Sequence, residues 1–504
     1  MNSLLKNPKT KLVFILVLAL GVRLVGIATR PIWYDEAFSI LFSEKGVSAM
    51  IYGTLSKVGA GTADIHPLGY YTLLWAWMNI FGQSILAVRL FSIVTNLASL
   101  IFVYLIACNL FNEKTAITAV VLVSILPFQV HFAQEIRMYS LLVLWLLIAT
   151  FSFLRGRTGN WKWWILFGVS SALAQYTHNL AAIYLIPLAL TPLIQKDIKT
   201  LKSVSLASIL AIILYLPWLI HLPAQFAKVN TSYWVERPGV EKIFTLLLFY
   251  LPHLPLPNQM LLPALMISMI TLALAIFQTV LAGKKNMPNL NHAVWLVYLA
   301  FVPPLLLWLI SQFVPIYIER ALLPSHVIFC IWIAWAYTQT KLPKPVQILG
   351  FGLIIIAAAM GLFQHVTYAG FPYGPFSALD VRIQDEYQQG DFIVHSNKLS
   401  YLPAFYFDPE LPQGYITDPV GSSTDTLAPA TREILHVQYY DDIRTAAAGK
   451  NRIWYVIYRQ SVDEYTSQGF QTHPDIEYLN TNFILTSTET LDDVMLYLYT
   501  RSAP

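Results

Sequence analysis

Charge is scarce in this chain. Only 12% of its 504 residues are Asp, Glu, Lys or Arg, against about a quarter in soluble domains, so most of its length is not an ordinary water-facing surface. Cysteine is scarcer: Cys108 and Cys330 are the whole complement, and both lie inside apolar segments. That excludes a disulfide framework and metal-ligand spacing, and leaves two small buried hydrophobes. The formal charge of +4 is too small and too dispersed for a nucleic-acid partner. No long internal repeat is evident. What the chain does have is apolar residues, 56% of the total, with a mean hydropathy of +0.55. It is built for lipid.

Apolar runs near spanning length lie at about 11–29, 85–111, 115–133, 138–154, 161–178, 180–195, 203–222, 259–282, 292–314, 318–340 and 346–367. The first follows Lys6, Lys9 and Lys11 and reads as a retained helix rather than a cleaved signal. A twelfth stretch, Pro67 to Gly82, is short and rich in aromatics. If it does not cross, Lys114, Arg155, Arg157, Lys162, Lys196, Lys199, Lys202, Lys284, Lys285, Lys341 and Lys344 all fall on the side of the N-terminus. The positive-inside rule then places that side in the cytoplasm. The expectation is about eleven transmembrane helices, with 67–82 lying against the membrane as an amphipathic segment.

The division expected is a membrane domain over 1–369, with a first outer loop at 30–84 and another at 223–258, then a polar segment over 370–504. Within that segment DFIVHS at 391, RIWYVIY at 452 and VMLYLYT at 494 alternate with helix-like stretches, which predicts a small α/β domain on the non-cytoplasmic side.

On the same topology Asp35, Glu36, Asp64, Glu135, Glu236 and Glu319 gather at outer membrane ends. Asp35 and Glu36 stand in R-P-I-W-Y-D-E-A, just past the first span. Either they are a hydrated pair, or partial desolvation raises a pKa and makes one a general base. In A-D-I-H-P-L-G-Y-Y, Asp64 and His66 precede a rigid proline and can face one cleft, with Tyr70 and Tyr71 following. Arg89, Arg137 and Arg320 lie at outer helix ends, where arginine either snorkels to the interface or grips phosphate through its fork. Tyr139 stands beside Arg137, Glu319 beside Arg320, and His178 in an outer turn.

Together these residues resemble the GT-C glycosyltransferases, specifically the dolichyl-phosphate-mannose protein mannosyltransferases and their bacterial relatives, among them the aminoarabinose transferases. The resemblance covers roughly the first 370 residues. Asp35-Glu36 matches the acidic pair of the family's first outer loop. His66-Pro67 with Tyr70-Tyr71 matches its H-P-P-L-Y-Y stretch, although Leu68 and Gly69 depart from it. Arg89 matches the arginine opening the next span, and Arg137-Met138-Tyr139 resembles the R-M-Y of bacterial members. The large β-trefoil insertion of the eukaryotic enzymes is missing, which counts against a protein acceptor.

The resemblance implies an inverting transfer from a polyprenyl-monophosphate-linked sugar to an acceptor lipid, glycan or protein at the outer face of a bacterial-type plasma membrane. Asp35, Glu36 and Asp64 would be the catalytic carboxylates, Asp35 as the base and Glu36 or Asp64 positioning it or the acceptor. His66, Arg89, Arg137 and Arg320 would bind the donor phosphate, and Tyr70, Tyr71, Tyr139, His178 and Glu319 the rest of the substrate. A divalent metal is compatible with such a family, but no dense ligand cluster indicates one, and no other cofactor is implied. The rival readings are an O-antigen polymerase or ligase using a diphosphate-linked donor, and a lipid or sugar flippase. A flippase would show paired half-repeats and broken midmembrane helices, which this sequence lacks.

Overall fold

The computed structural model describes residues 7–231, 233–339 and 342–501; Lys6 and Lys341 lie outside the described residues. The chain opens with α1 (Pro8–Leu24), α2 (Tyr34–Glu44) and α3 (Gly46–Leu55), a small hairpin of β1 (Lys57–Val58) and β2 (Gly61–Thr62), and α4 (Gly69–Phe81). The bundle continues through α5 (Ile85–Leu110), α6 (Glu113–Ile125), α7 (Pro127–Gln134), α8 (Tyr139–Gly156), α9 (Lys162–Thr177), α10 (Ala181–Ile194) and α11 (Ile198–Leu219). After α12 (Leu222–Thr231) and α13 (Glu241–Tyr250) come α14 (Asn258–Lys284), α15 (Leu290–Ser311), α16 (Leu323–Thr338) and α17 (Lys344–Thr367).

Local chemistry sets these limits. Asn7 caps α1, with Pro8 at its first turn, and Ser84 caps α5, each side-chain oxygen taking an amide the helix cannot satisfy. At Pro127 the missing N–H breaks the run, so α6 and α7 meet at 58°. Arg23 of α1 is fully buried, donating to Asn96 Oδ1 on α5 at 2.7 Å and to the Ser124 carbonyl on α6 at 3.0 Å. One guanidinium thus ties three helices together.

Among the described residues seven helices are long and apolar enough to cross a bilayer, or eight if the bent α6–α7 pair is one span. That count by length and composition is below the eleven expected. Every expected run is helical, but α1, α9 and α10 have only 17, 16 and 14 residues. Hydropathy alone counts the apolar caps and loop residues around them as span. The 13-residue α4 rises about 20 Å, well short of the roughly 30 Å hydrocarbon core.

Beyond α17 come α18 (Phe376–Glu386), β3 (Phe392–His395), α19 (Lys398–Phe407), β4 (Gln413–Ile416), α20 (Pro429–Leu435) and β5 (Tyr439–Tyr440). The chain ends with α21 (Ile443–Ala447), β6 (Arg452–Tyr458), α22 (Arg459–Ser467), α23 (Pro474–Asn482), β7 (Ile484–Leu491) and β8 (Val494–Thr500). The six strands form one sheet in the order β5-β4-β3-β6-β8-β7, parallel from β5 to β6 and antiparallel from there on. Alternation along β3 and β6 fills both faces. Phe392, Val394, Ile453 and Tyr455 pack with α21 and α23, while Ile393, Trp454 and Val456 pack with α18. Tyr401, Leu402, Tyr415 and Leu435 join the bundle's own core, where α19 lies on α2 and α20 on α3. The sheet is therefore anchored over the first loop.

Candidate active site

Asp35 occupies the first turn of α2, at the floor of a cavity of about 710 Å³ between the bundle and the sheet segment. Its Oδ2 lies 3.1 Å from Arg320 Nη1 and 3.6 Å from Arg137 Nε. Arg137 enters from the α7–α8 linker, and its Nη1 also donates to Ser39 Oγ at 3.2 Å and the Tyr71 hydroxyl at 3.4 Å. Arg320 enters from the turn before α16, its guanidinium carbon 5.2 Å from the Tyr139 ring centroid and 5.9 Å from those of Trp33 and Trp234. Two cations and an aromatic collar therefore meet at one carboxylate.

Burial alone would lift the Asp35 carboxyl, but Arg137, Arg320 and His66 outweigh it and hold the group below its ordinary value. In the free protein the neighbouring charges thus outweigh the desolvation that alone would raise this carboxyl. Asp64 behaves alike. Burial raises it, while His66 and the amides of Ile65 and His66 lower it further. Its Oδ1 meets His66 Nδ1 at 2.7 Å, and both residues line the Asp35 cavity with Tyr71.

Other expected site residues do not line this cavity. Glu36 is fully buried and locked to Arg89, with Oε2 to Nη2 at 2.9 Å and Oε1 to Nε at 3.2 Å. Arg89 spends its remaining N–H groups on the carbonyls of Ile27, Arg30 and Pro31. All five donors of the guanidinium are committed, so Arg89 has none left for a phosphate, and Glu36 is turned away from the cavity. Tyr70 is buried against Tyr71 and Phe91, and Tyr139 is buried under Arg320. Glu319 pairs with Lys242 of α13 at 2.6 Å and lines a neighbouring cavity of about 350 Å³ that shares Trp33, Trp234 and Arg320 with the first.

His178 ends α9 and lines an apolar groove of about 660 Å³ running among α9, α10 and α11. That groove and the Asp35 cavity share Ile65, His66 and Tyr233 as walls.

Sequence reasoning missed a second polar cluster behind Arg320. His131 Nε2 approaches Glu135 Oε1 at 3.0 Å, and its Nδ1 lies 3.1 Å from His365 Nδ1. Tyr373 donates to the same Glu135 oxygen at 3.1 Å, Arg30 contacts Tyr373, and His253 packs edge-on against His131 with ring centroids 4.7 Å apart. The i, i+4 spacing of His131 and Glu135 on one apolar helix was the available signal. Among the described residues no three His, Cys, Asp or Glu are placed to hold a metal ion.

Residues 65–221 match the model of the dolichyl-phosphate-mannose-protein mannosyltransferase family. The crystal structure of ArnT from Cupriavidus metallidurans in the apo state superposes with a TM-score of 0.64 at 11% identity, covering 96% of this chain and 97% of that one. This is the GT-C glycosyltransferase fold. The same ArnT bound to undecaprenyl phosphate gives a TM-score of 0.63 with the same identity and coverage. The Archaeoglobus fulgidus oligosaccharyltransferase in its apo form gives 0.57 at 11% identity, over 98% of this chain and 74% of that one. No curated protein sequence matches the chain. With its apolar helices and GT-C fold, the chain is an integral membrane protein.

Proposed function

We propose that this chain is an inverting glycosyltransferase that moves a sugar from a polyprenyl monophosphate to an acceptor on the non-cytoplasmic face of its membrane. The observation that carries the proposal is the junction of two unlike spaces. An apolar groove of about 660 Å³ runs between helices and meets, at Ile65, His66 and Tyr233, a cavity whose walls carry charged side chains. In that cavity Arg137 and Arg320 hold Asp35. A lipid tail suits the first space and its phosphate the second.

In the working complex the donor phosphate shares the two guanidiniums with Asp35. Their forks suit phosphate oxygens, and they stabilise the charge that grows on the phosphate as the glycosidic C–O bond breaks. Drawing the arginines toward phosphate weakens their hold on Asp35, whose basicity rises when the acceptor needs it. Asp35 then takes the acceptor's proton as that oxygen or nitrogen attacks the anomeric carbon opposite the phosphate. The leaving phosphate is already a stable anion, so no general acid is required. Asp64 orients His66 through their 2.7 Å contact, and His66 stands at the groove mouth to donate to the phosphate.

Incubating the purified protein in lipid with radiolabelled undecaprenyl-monophosphate hexose or pentose, and separately with the diphosphate-linked sugar, tests this reading. Turnover of the monophosphate alone is expected. Turnover of the diphosphate alone would support the polymerase or ligase reading instead.

A further inference from the structure

The parallel part of the C-terminal sheet has a topological switch point. From β3 the chain winds outward through β4 to β5 and then returns to place β6 on the opposite side of β3. In open α/β sheets ligands bind beyond the carboxyl ends of the strands, where the winding reverses, because the loops part there. Here that crevice opens toward the bundle. Asn397 and Lys398 follow β3, Asp418 follows β4, and Gln460, Ser461 and Glu464 follow β6, and all six line the cavity that holds Asp35.

These groups suit one kind of ligand. Lys398 is nearly buried, its ammonium 2.5 Å from Asp418 Oδ2 and bonded to the Thr424 carbonyl. That leaves its third proton and Asp418 Oδ1 without a protein partner among the described residues. Gln460 Nε2 reaches Glu464 Oε1 at 2.9 Å, keeping the amide oxygen and the other carboxylate oxygen for a ligand. Around the cavity Arg137, Lys228, Arg320 and Lys398 are balanced by Asp35, Asp64, Asp418 and Glu464, which offers no net positive field for a second phosphate. Alternating donors and acceptors match hydroxyl groups. Across the cavity Trp33, Tyr34 and Trp234 present aromatic surface, and the Trp33 indole N–H is buried with no partner among the described residues.

We propose that this crevice is the acceptor subsite and takes a neutral, hydroxyl-bearing carbohydrate unit; the acceptor label rests on the transferase reading above. The lipid groove reaches the cavity from the Ile65–His66 side. The crevice residues line the same cavity as Asp35, so an acceptor held by them shares one space with the proposed base and the donor phosphate.

The test uses the full chain in lipid nanodiscs and ligand-observed saturation-transfer NMR. Maltotriose, mannotriose and chitotriose are the neutral probes, a Ser/Thr-containing octapeptide is the rival, and undecaprenyl phosphate is measured in the same samples. Helix α22 buries none of its residues, so Gln460→Ala with Glu464→Ala keeps the fold, and Ser461→Trp fills the crevice. At least one trisaccharide is expected to bind the wild type, about tenfold more weakly in the double variant, as loss of one or two hydrogen bonds predicts, and not in Ser461→Trp. Undecaprenyl phosphate should bind all three alike. No trisaccharide binding beside normal lipid binding, equal trisaccharide binding in the variants, or preference for the peptide would overturn the crevice assignment. Failure of the wild type to bind undecaprenyl phosphate would strike the transferase reading and the acceptor label, while variant-sensitive trisaccharide binding would still support a carbohydrate crevice.

Discussion

Asp35 lies between two guanidiniums, and that arrangement has consequences for pH. Its carboxyl is held below the ordinary value, so in the free protein it stays ionised through the range where assays are run. On the proposed mechanism, kcat/KM should show no acidic limb from this group above about pH 5. Removing one cation, in Arg320→Gln, should raise the Asp35 pKa and carry an acidic limb upward, read from kcat/KM across pH. The same sign governs stability. The contribution of Asp35 is present above its unfolded pKa of about 3.9 and is lost as pH falls through the lower folded value. Asp35→Asn should keep the fold and lipid binding while transfer falls about 10²–10⁴-fold; near-normal transfer would move the base to Asp64. Arg320→Lys separates charge from shape. A snorkelling arginine tolerates lysine, whereas a forked phosphate contact does not, so wild-type kinetics in Arg320→Lys would leave Arg137 as the phosphate ligand. Glu36→Gln probes the other half of the acidic pair. It strands the Arg89 guanidinium in the core and should cost about 3–5 kcal/mol, seen as a fall in Tm.

The site was legible in part. Adjacent Asp35 and Glu36 look alike in sequence, yet consecutive positions on a helix point about 100° apart, so one meets the cavity and the other the core. Arg89 and Arg320 could not be told apart either, because what separates them is whether nearby carbonyls consume their donors. His131, His253 and His365 stand far apart in sequence, and only the packing of α7, the loop after α13 and α17 brings them together.

At the scale of elements, close approach of backbones decides more than propensity does. Gly361 in α17 has no room for a side chain: a Cβ there would lie 1.6 Å from the Pro252 carbonyl and 2.6 Å from Pro127 Cγ. Neither neighbour is the end of a flexible side chain. Gly361→Ala should push α17 away from the loop after α13 and from the start of α7, loosening the packing around His131, His253 and His365. Thermal unfolding in detergent should show a fall in Tm of several degrees, since overpacking costs about 1–3 kcal/mol. Gly352, on the same helix, has nothing within 4 Å of the position of its missing Cβ, so Gly352→Ala should be neutral or slightly stabilising. Equal Tm values for the two variants would contradict the close approach. The elements also differ in how well the sequence announces them. Strands β3, β6 and β8 are apolar runs bounded by turns, and each falls where the runs at 391, 452 and 494 predict. Strand β7, ILTSTETL, is polar and mostly exposed at the sheet edge; β4, QGYI, is as short as β3 but lacks its apolar run, and β5 has only two residues.

For the whole molecule, charge and geometry bear independently on which way the bundle sits in its membrane. With α4 too short to cross, Lys114, Arg155, Lys199 and Lys285 fall at one end of the bundle, and Asp35, Asp64, Arg137 and Arg320 at the other. The positive-inside rule assigns the first end to the cytoplasm. The sheet segment must share a side with the acids, because α19 and α20 rest on α2 and α3. Single cysteines in a Cys108→Ala, Cys330→Ala background can report this through a membrane-impermeant maleimide. Gln83, Asp463, Lys199 and Lys285 are exposed, and Gln83 is preferable to its neighbour Gly82, whose φ of +83° disfavours any side chain. Gln83→Cys and Asp463→Cys should label from outside intact cells, and Lys199→Cys and Lys285→Cys only after permeabilisation. Labelling of Gln83→Cys and Asp463→Cys from opposite sides would mean that a segment between them crosses in a way this topology does not allow. Labelling of Lys199→Cys from outside would invert the whole bundle, placing Asp35 and its arginines in the cytoplasm, where a donor presented at the outer face would never reach them.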